Sequence, residues 1–267
     1  ETDIAYRVGL DHMIDPNGVE ILNWQDWWYE PRSLTNAFFG FDPVTATNWP
    51  VRAEDGPLEE GTWKVWLAAT EPNYTPAGGL DMHVTVQTKD DPDDLNGTVA
   101  VQIVWADGVG SNPDVVAAVE EGVERWRAIW AGYGLVLDEN YVDSTLDPTL
   151  DFVYRGSDDV ALIPKDDGTL QVIVGEQIRN ERGTYGVSAG VPGTTLQTRH
   201  SYVVLSWLAH SGIDATFDAD EIELMGETMA HEVGHYMGLF HVVEGGYSAW
   251  DALDDTVDCT RPRDCED

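Results

Sequence analysis

The sequence predicts an α+β fold that changes character near residue 96, and three observations carry the prediction. Short alternating apolar runs mark the first 95 residues, a long amphipathic helix opens at Asn112-Pro113, and a second leads from Asp218 to Met237. Residues 1–95 therefore read as a β-rich, aromatic-rich N-terminal domain and residues 96–267 as a second, larger domain.

In the N-terminal part Trp63, Val65 and Leu67 alternate, as do Leu80, Met82, Val84 and Val86, the pattern of half-buried strands. Trp24, Trp27, Trp28, Phe38, Phe39 and Phe41 punctuate a stretch rich in Gly, Pro and Asn. Core and interdomain packing is the default reading for them, with a carbohydrate platform as the alternative. The run Lys89-Asp90-Asp91-Pro92-Asp93-Asp94 disfavours regular structure through its proline and like charges, which sets the boundary.

Beyond it, Val99, Val101, Ile103 and Trp105 alternate as a first strand. Asn112 followed by Pro113 is a strong helix start, and Val116, Val119, Val123, Trp126 and Trp130 line one face of the helix. Asp151–Tyr154, Leu170–Val174 and Ser201–Trp207 are the further strand candidates. In the second helix Ile222, Met225, Met229, Val233 and Met237 recur every three or four residues, and Asp218 with Glu221 forms a capping box.

The net charge of −35, from 49 acidic and 14 basic residues, excludes partners as well. Phosphate backbones are repelled, so nucleic acid is not an expected partner, and neither is an anionic membrane. Such a charge fits solubility in a saline medium or bound calcium. Asp214, Thr216, Asp218 and Asp220 alternate like a calcium loop but lack the glycine and terminal glutamate of an EF-hand, so a solvated turn leading into the helix is preferred. Cys259 and Cys265 close a short loop in an acidic tail; a local disulfide and pairing with another thiol are both open, and either fits an oxidising, extracellular setting. There is no run of 18 apolar residues and no signal peptide, and a chain starting at Glu1 is expected to be a processed product. Asn73-Tyr74-Thr75 and Asn96-Gly97-Thr98 match glycosylation sequons, which arise often by chance.

The chemistry sits in His231-Glu232-Val233-Gly234-His235-Tyr236-Met237-Gly238-Leu239-Phe240-His241. Residues four apart share a helix face, so His231 and His235 can point at one ion with Glu232 beside it as a base. A catalytic zinc takes three protein ligands and keeps one open position. His241 cannot come from the same straight helix, but Gly238 can take a left-handed conformation and turn the chain back. With His231, His235 and His241 on zinc, Glu232 would deprotonate a bound water, direct it at a carbonyl carbon and return the proton to the leaving amine. Isolated helix histidines are usually structural; here three of the seven histidines fall within eleven residues.

This motif resembles the extended signature of the metzincin metalloproteases at every position from 231 to 241. The resemblance implies a mixed twisted sheet with a backing helix, an active-site helix beneath it, and a substrate lying extended along a free sheet edge. The stretch Tyr185–Gly193, the strand Tyr202–Trp207 and the acidic stretch Asp254–Cys259 look like the pappalysin branch. Family members also carry a methionine turn after the third histidine. No methionine follows Met237, so the zinc metalloprotease domain of residues 96–267 is expected to be C-terminally incomplete. Asp254, Asp255 or Asp258 would favour Arg or Lys in the substrate, with solvated surface as the equal alternative.

The N-terminal domain reads as a latency propeptide, an accessory domain or a packing partner. Cysteine latency is excluded because no cysteine precedes Cys259, whereas Asp11, Asp15 and Asp26 lie in flexible-looking sequence and could cap a zinc. The expected function is that of a secreted zinc endopeptidase acting on proteins or peptides. A latent proenzyme or an inactive zinc-containing binding module is the alternative, and the oligomeric state is left open.

Overall fold

The computed structural model describes residues 7–23, 45–49, 58–71, most of 73–88, and 97–241 apart from 167, 195, 213, 214 and 240. The chain divides into two compact units, Glu1–Met82 with Gly190–Pro192 and Met237–Asp267, and His83–Ala189 with Gly193–Tyr236.

The first unit is built on a three-stranded antiparallel sheet of β1 (Arg7–Ile14), β2 (Glu20–Asn23) and β3 (Lys64–Thr70), in the order β2-β1-β3. Leu10, Met13 and Leu22 form its small core, with Trp63 and Leu67 packed on it. Val65 is 51% exposed in spite of the alternation that groups it with those two. The described residues between 81 and 86 form no strand, and Met82, Val84 and Val86 are exposed. Alternation alone does not make a strand where there is no neighbouring ladder to join. Trp24, Trp27, Trp28, Phe38, Phe39, Phe41 and the 89–94 run lie outside the described residues.

The second unit holds a five-stranded sheet in the order β5-β4-β6-β8-β7. Its strands are β4 (Gly97–Trp105), β5 (Leu135–Asp143), β6 (Leu170–Gly175), β7 (Gly186–Ser188) and β8 (Val203–Ser206). Four run parallel, and only β7, at one edge, is antiparallel to its neighbour. The central strands are covered on both faces, so β6 and β8 are buried throughout, Gln171 and Ser206 included.

The first long helix, α1 (Pro113–Ala131), starts as expected: the Asn112 side chain accepts from the N–H groups of Asp114 and Val115, with Pro113 at the first helical position. Val119, Val123, Trp126 and Trp130 are buried on it. Two helical turns, α2 (Asp158–Ala161) and α3 (Trp207–His210), precede the second long helix, α4 (Ala219–Met237). Its capping box closes from both sides, Asp218 N–H donating to Glu221 Oε2 and Glu221 N–H to Asp218 Oδ1, each at 2.9 Å. Met225, Met229 and Val233 are fully buried. Met237, expected on the same stripe, is exposed at the last turn.

Two strand expectations are corrected. Residues 151–154 form a turn, in which Leu150 and Tyr154 take positive φ and Leu150 and Val153 plug the core. The three apolar residues after Asp151 carry no period that separates a strand from such a plug. Trp207 opens α3 rather than extending β8, because the Ser206 hydroxyl accepts from Ala209 N–H and starts a helical turn. Strand β5 escaped notice because Asp138, Glu139, Asn140 and Asp143 hide its alternation; as an edge strand it needs only one apolar face.

Candidate metal centre and cleft

Helix α4 delivers the centre because its apolar stripe fixes its rotation about its own axis. With Met225, Met229 and Val233 locked in the core, His231 falls on the exposed side, Glu232 at intermediate depth and His235 in a buried position. The rings of His231 and His235 stand 4.4 Å apart at 77°. Gly238 follows with φ of 110°, ending the helix in a conformation that side-chain-bearing residues rarely adopt.

His241 then completes the group: the ligating atoms of His231, His235 and His241 all lie within 4.8 Å of one another. Three imidazoles suit zinc by charge and softness, and three protein ligands leave the open position that a catalytic site keeps. The donor set therefore fits the ion the sequence asks for.

Beside it lies a cleft of about 520 Å³ lined by Gly183, Thr184, Tyr185, Gly186, Leu224, Glu227, Thr228, His231 and Glu232. One wall is the segment entering β7 and the other is the exposed flank of α4. Tyr185 and Gly186 come from the stretch singled out in the sequence. Leu224, Glu227 and Thr228 were not anticipated. They stand seven, four and three residues before His231, so helical periodicity alone places them on its flank. Glu227 is held by Arg125 of α1 at 2.8 Å, through the same guanidinium nitrogen that pairs with Glu223 at 2.8 Å.

Tyr236, next to His235, is buried, and its hydroxyl donates to the Thr194 carbonyl at 2.6 Å while its own carbonyl accepts from Gly193 N–H at 2.8 Å. Burial pushes the Tyr236 phenol well above its ordinary range. His210 is also buried, and desolvation lowers its pKa to about 4.

Other anticipated residues stand elsewhere. Asp11 lies in β1 with its carboxylate 2.8 Å from His12 Nδ1, and Asp15 is buried, accepting from Val19 N–H at 2.7 Å in the β1–β2 turn. These two belong to a hairpin, not to the loose segment expected of them. Asp218 is engaged in the helix cap, and Thr216 and Asp220 are exposed. Asp26, Asp214, Asp254, Asp255, Asp258, Cys259 and Cys265 lie outside the described residues.

Three clustered histidines with a helical glutamate beside the first of them have the make-up of a metal-dependent hydrolase site. No family model matches the chain. Extracellular metalloprotease 1 of Coccidioides posadasii (strain C735) is 41% identical over 64 residues, which are 24% of this chain and 21% of that protein. The chain thus spans about a fifth of the length of the curated relative it matches. Among solved structures, metalloproteinase-II from Bacteroides fragilis aligns over 60% of this chain and 48% of its own, at a TM-score of 0.37 and 13% identity. A chaperone–substrate complex aligns over 55% and 27%, at 0.36 and 14%. The sequence match supports a metalloprotease.

Proposed function

We propose that this protein is a secreted zinc-dependent endopeptidase, of the metzincin type and closest to its pappalysin branch. The observation that carries the reading is the convergence of His231, His235 and His241 next to a cleft that Glu232 lines. The extracellular metalloprotease match supports both the activity and the location. Among the described residues no helix is long and apolar enough to cross a membrane.

The three imidazoles would hold the ion through ring nitrogens in their neutral form. When bound, zinc supplies Lewis acidity, making water nucleophilic near neutral pH and drawing charge from the scissile carbonyl. Glu232 takes the proton of the attacking water and passes it to the leaving amine. The substrate is a protein or peptide in extended form, laid along the open edge of β7 and bonded through its main chain. The wall from Leu224 to Thr228 then faces a substrate side chain.

The test is cleavage of a denatured protein by the zinc-loaded protein. Turnover should vanish with a chelator, return with zinc, and fall by about 10²–10⁴-fold in Glu232→Gln at unchanged zinc content. Bound zinc with no turnover in any form would replace this reading with that of a zinc-containing binding module. A zinc-loaded crystal with His241 turned away from the ion would overturn the ligand set.

A further inference from the structure

His210 ends α3, the single helical turn after β8, and is 1% exposed. Its Nδ1 lies 2.7 Å from the Ser206 carbonyl oxygen, which can only accept, so Nδ1 carries the hydrogen. Burial keeps the ring neutral, which leaves Nε2 with a lone pair. At 3.0 Å from Nε2 stands Thr228 Oγ1, on the flank of α4 that lines the cleft. The neutral ring with its hydrogen on Nδ1 thus makes Thr228 the donor.

A threonine in a helix normally divides between two χ1 rotamers, because its hydroxyl can also bond a carbonyl one turn back. That backbone acceptor is also met here: Leu224 O lies 2.9 Å from the same Oγ1, so one rotamer reaches both acceptors and the hydroxyl hydrogen is shared between them. Nε2 adds a second acceptor to this rotamer, in which Thr228 Cγ2 lies only 3.0 Å from where a Cβ on Gly186 would stand. The opposite wall meets the same ring. Tyr185 packs edge-on against His210 with centroids 4.9 Å apart, and its carbonyl accepts from Ser206 N–H at 2.9 Å.

We propose that His210 is a positioning residue that sets the width of the substrate cleft, holding Thr228 in one rotamer on one wall and supporting Tyr185 on the other. The proposal rests on the peptidase reading of that cleft. His210 acts on the fit of the substrate and not on the metal ligands, since Thr228 and Tyr185 line the cleft without belonging to the histidine group.

Glutamine and asparagine separate the two ring nitrogens. His210→Gln keeps an acceptor near the Nε2 position, whereas His210→Asn keeps a donor near Nδ1 and falls short of Thr228. In the zinc-loaded protein with a peptide substrate, His210→Asn should raise KM about tenfold, as loss of one buried hydrogen bond allows, with kcat within about twofold. Zinc content should not change, and His210→Gln should restore KM to within about threefold of the original. Thr228→Val should match His210→Asn, and the double variant should be no worse than either single one. Peptide affinity in a Glu232→Gln background reads the same cleft without turnover, so loss of the peptidase reading is told apart from loss of this one. Imidazole ¹⁵N NMR of the metal-free protein should show the Nδ1–H tautomer, with the Nε2 signal moved by Thr228→Val. An Nε2–H tautomer, equal KM and affinity in the Asn and Gln variants, or a loss of kcat at unchanged KM would overturn the proposal.

Discussion

Gly186 of β7 and Glu232 of α4 leave no room for a side chain between them: a Cβ on Gly186 would lie 2.7 Å from Glu232 Cγ, 3.0 Å from Thr228 Cγ2 and 3.2 Å from Val204 O. The backbone of the edge strand thereby comes down onto Glu232, the base of the proposed mechanism. Gly186→Ala must push β7 and α4 apart or turn Glu232 from its rotamer. Since misplacement by about an ångström can cost on the order of a hundredfold in rate, kcat/KM should fall by between about tenfold and a hundredfold with zinc still bound. Steady-state kinetics beside metal analysis checks this.

The two long helices cross where Gly226 of α4 meets α1. A Cβ there would stand 2.5 Å from Gly122 O and 2.6 Å from Arg125 Cβ, both rigidly placed. Gly226→Ala should cost about 1–3 kcal/mol of stability by overpacking. Arg125→Ala, which removes the exposed pairs to Glu223 and Glu227, should cost less than Gly226→Ala. Urea unfolding of both variants measures the contrast, and a larger loss in Arg125→Ala would reverse the order of importance assigned here.

The reciprocal cap at Asp218 and Glu221 holds the first turn of α4, well away from His231. Asp218→Ala should destabilise by about 1 kcal/mol while leaving the ratio of kcat to KM in place. Asp218→Asn keeps an acceptor for Glu221 N–H and should recover most of the loss. Thermal melts with parallel kinetics test it.

His210 gives the protein an acid-sensitive term. Its pKa falls from 6.5 in the unfolded chain to about 4 when folded, through burial. The folded state therefore binds fewer protons across that window, so this contribution to stability is complete above pH 6.5 and is lost as the pH falls towards 4. At about 1.4 kcal/mol per pKa unit the full span is about 3 kcal/mol. His210→Asn should flatten the stability–pH curve between pH 4 and 6.5 relative to the original protein; identical slopes would show that the ring titrates alike in both states.

Metal removal should register in stability as well as in turnover. On the proposed ligand set zinc is held by the folded histidine group and not by the dispersed one, so at a hundredfold excess over Kd it should add about 2.7 kcal/mol. The melting temperature should drop on chelation and recover with zinc. His235→Ala, which removes the buried ligand, should abolish that shift, whereas Glu232→Gln should keep it.

The sequence by itself determined α1, β4, β6, the capping box of α4 and the identity of the three histidines, because each is written in contiguous residues. Asn112 caps and Pro113 fits the first position of the helix whose apolar stripe follows them, and His231 and His235 share a face through helical pitch alone. Strand β5 was illegible because an edge strand tolerates acidic residues on its wet face, and the alternation of Met82, Val84 and Val86 misled because alternation needs a partner strand. Only the tertiary structure decided the cleft. The approach of Gly186 to Glu232 spans 46 positions of sequence, and the bond from His210 to Thr228 spans 18. Contacts of that kind follow from how a sheet edge seats on a helix, and no local period in the chain records them.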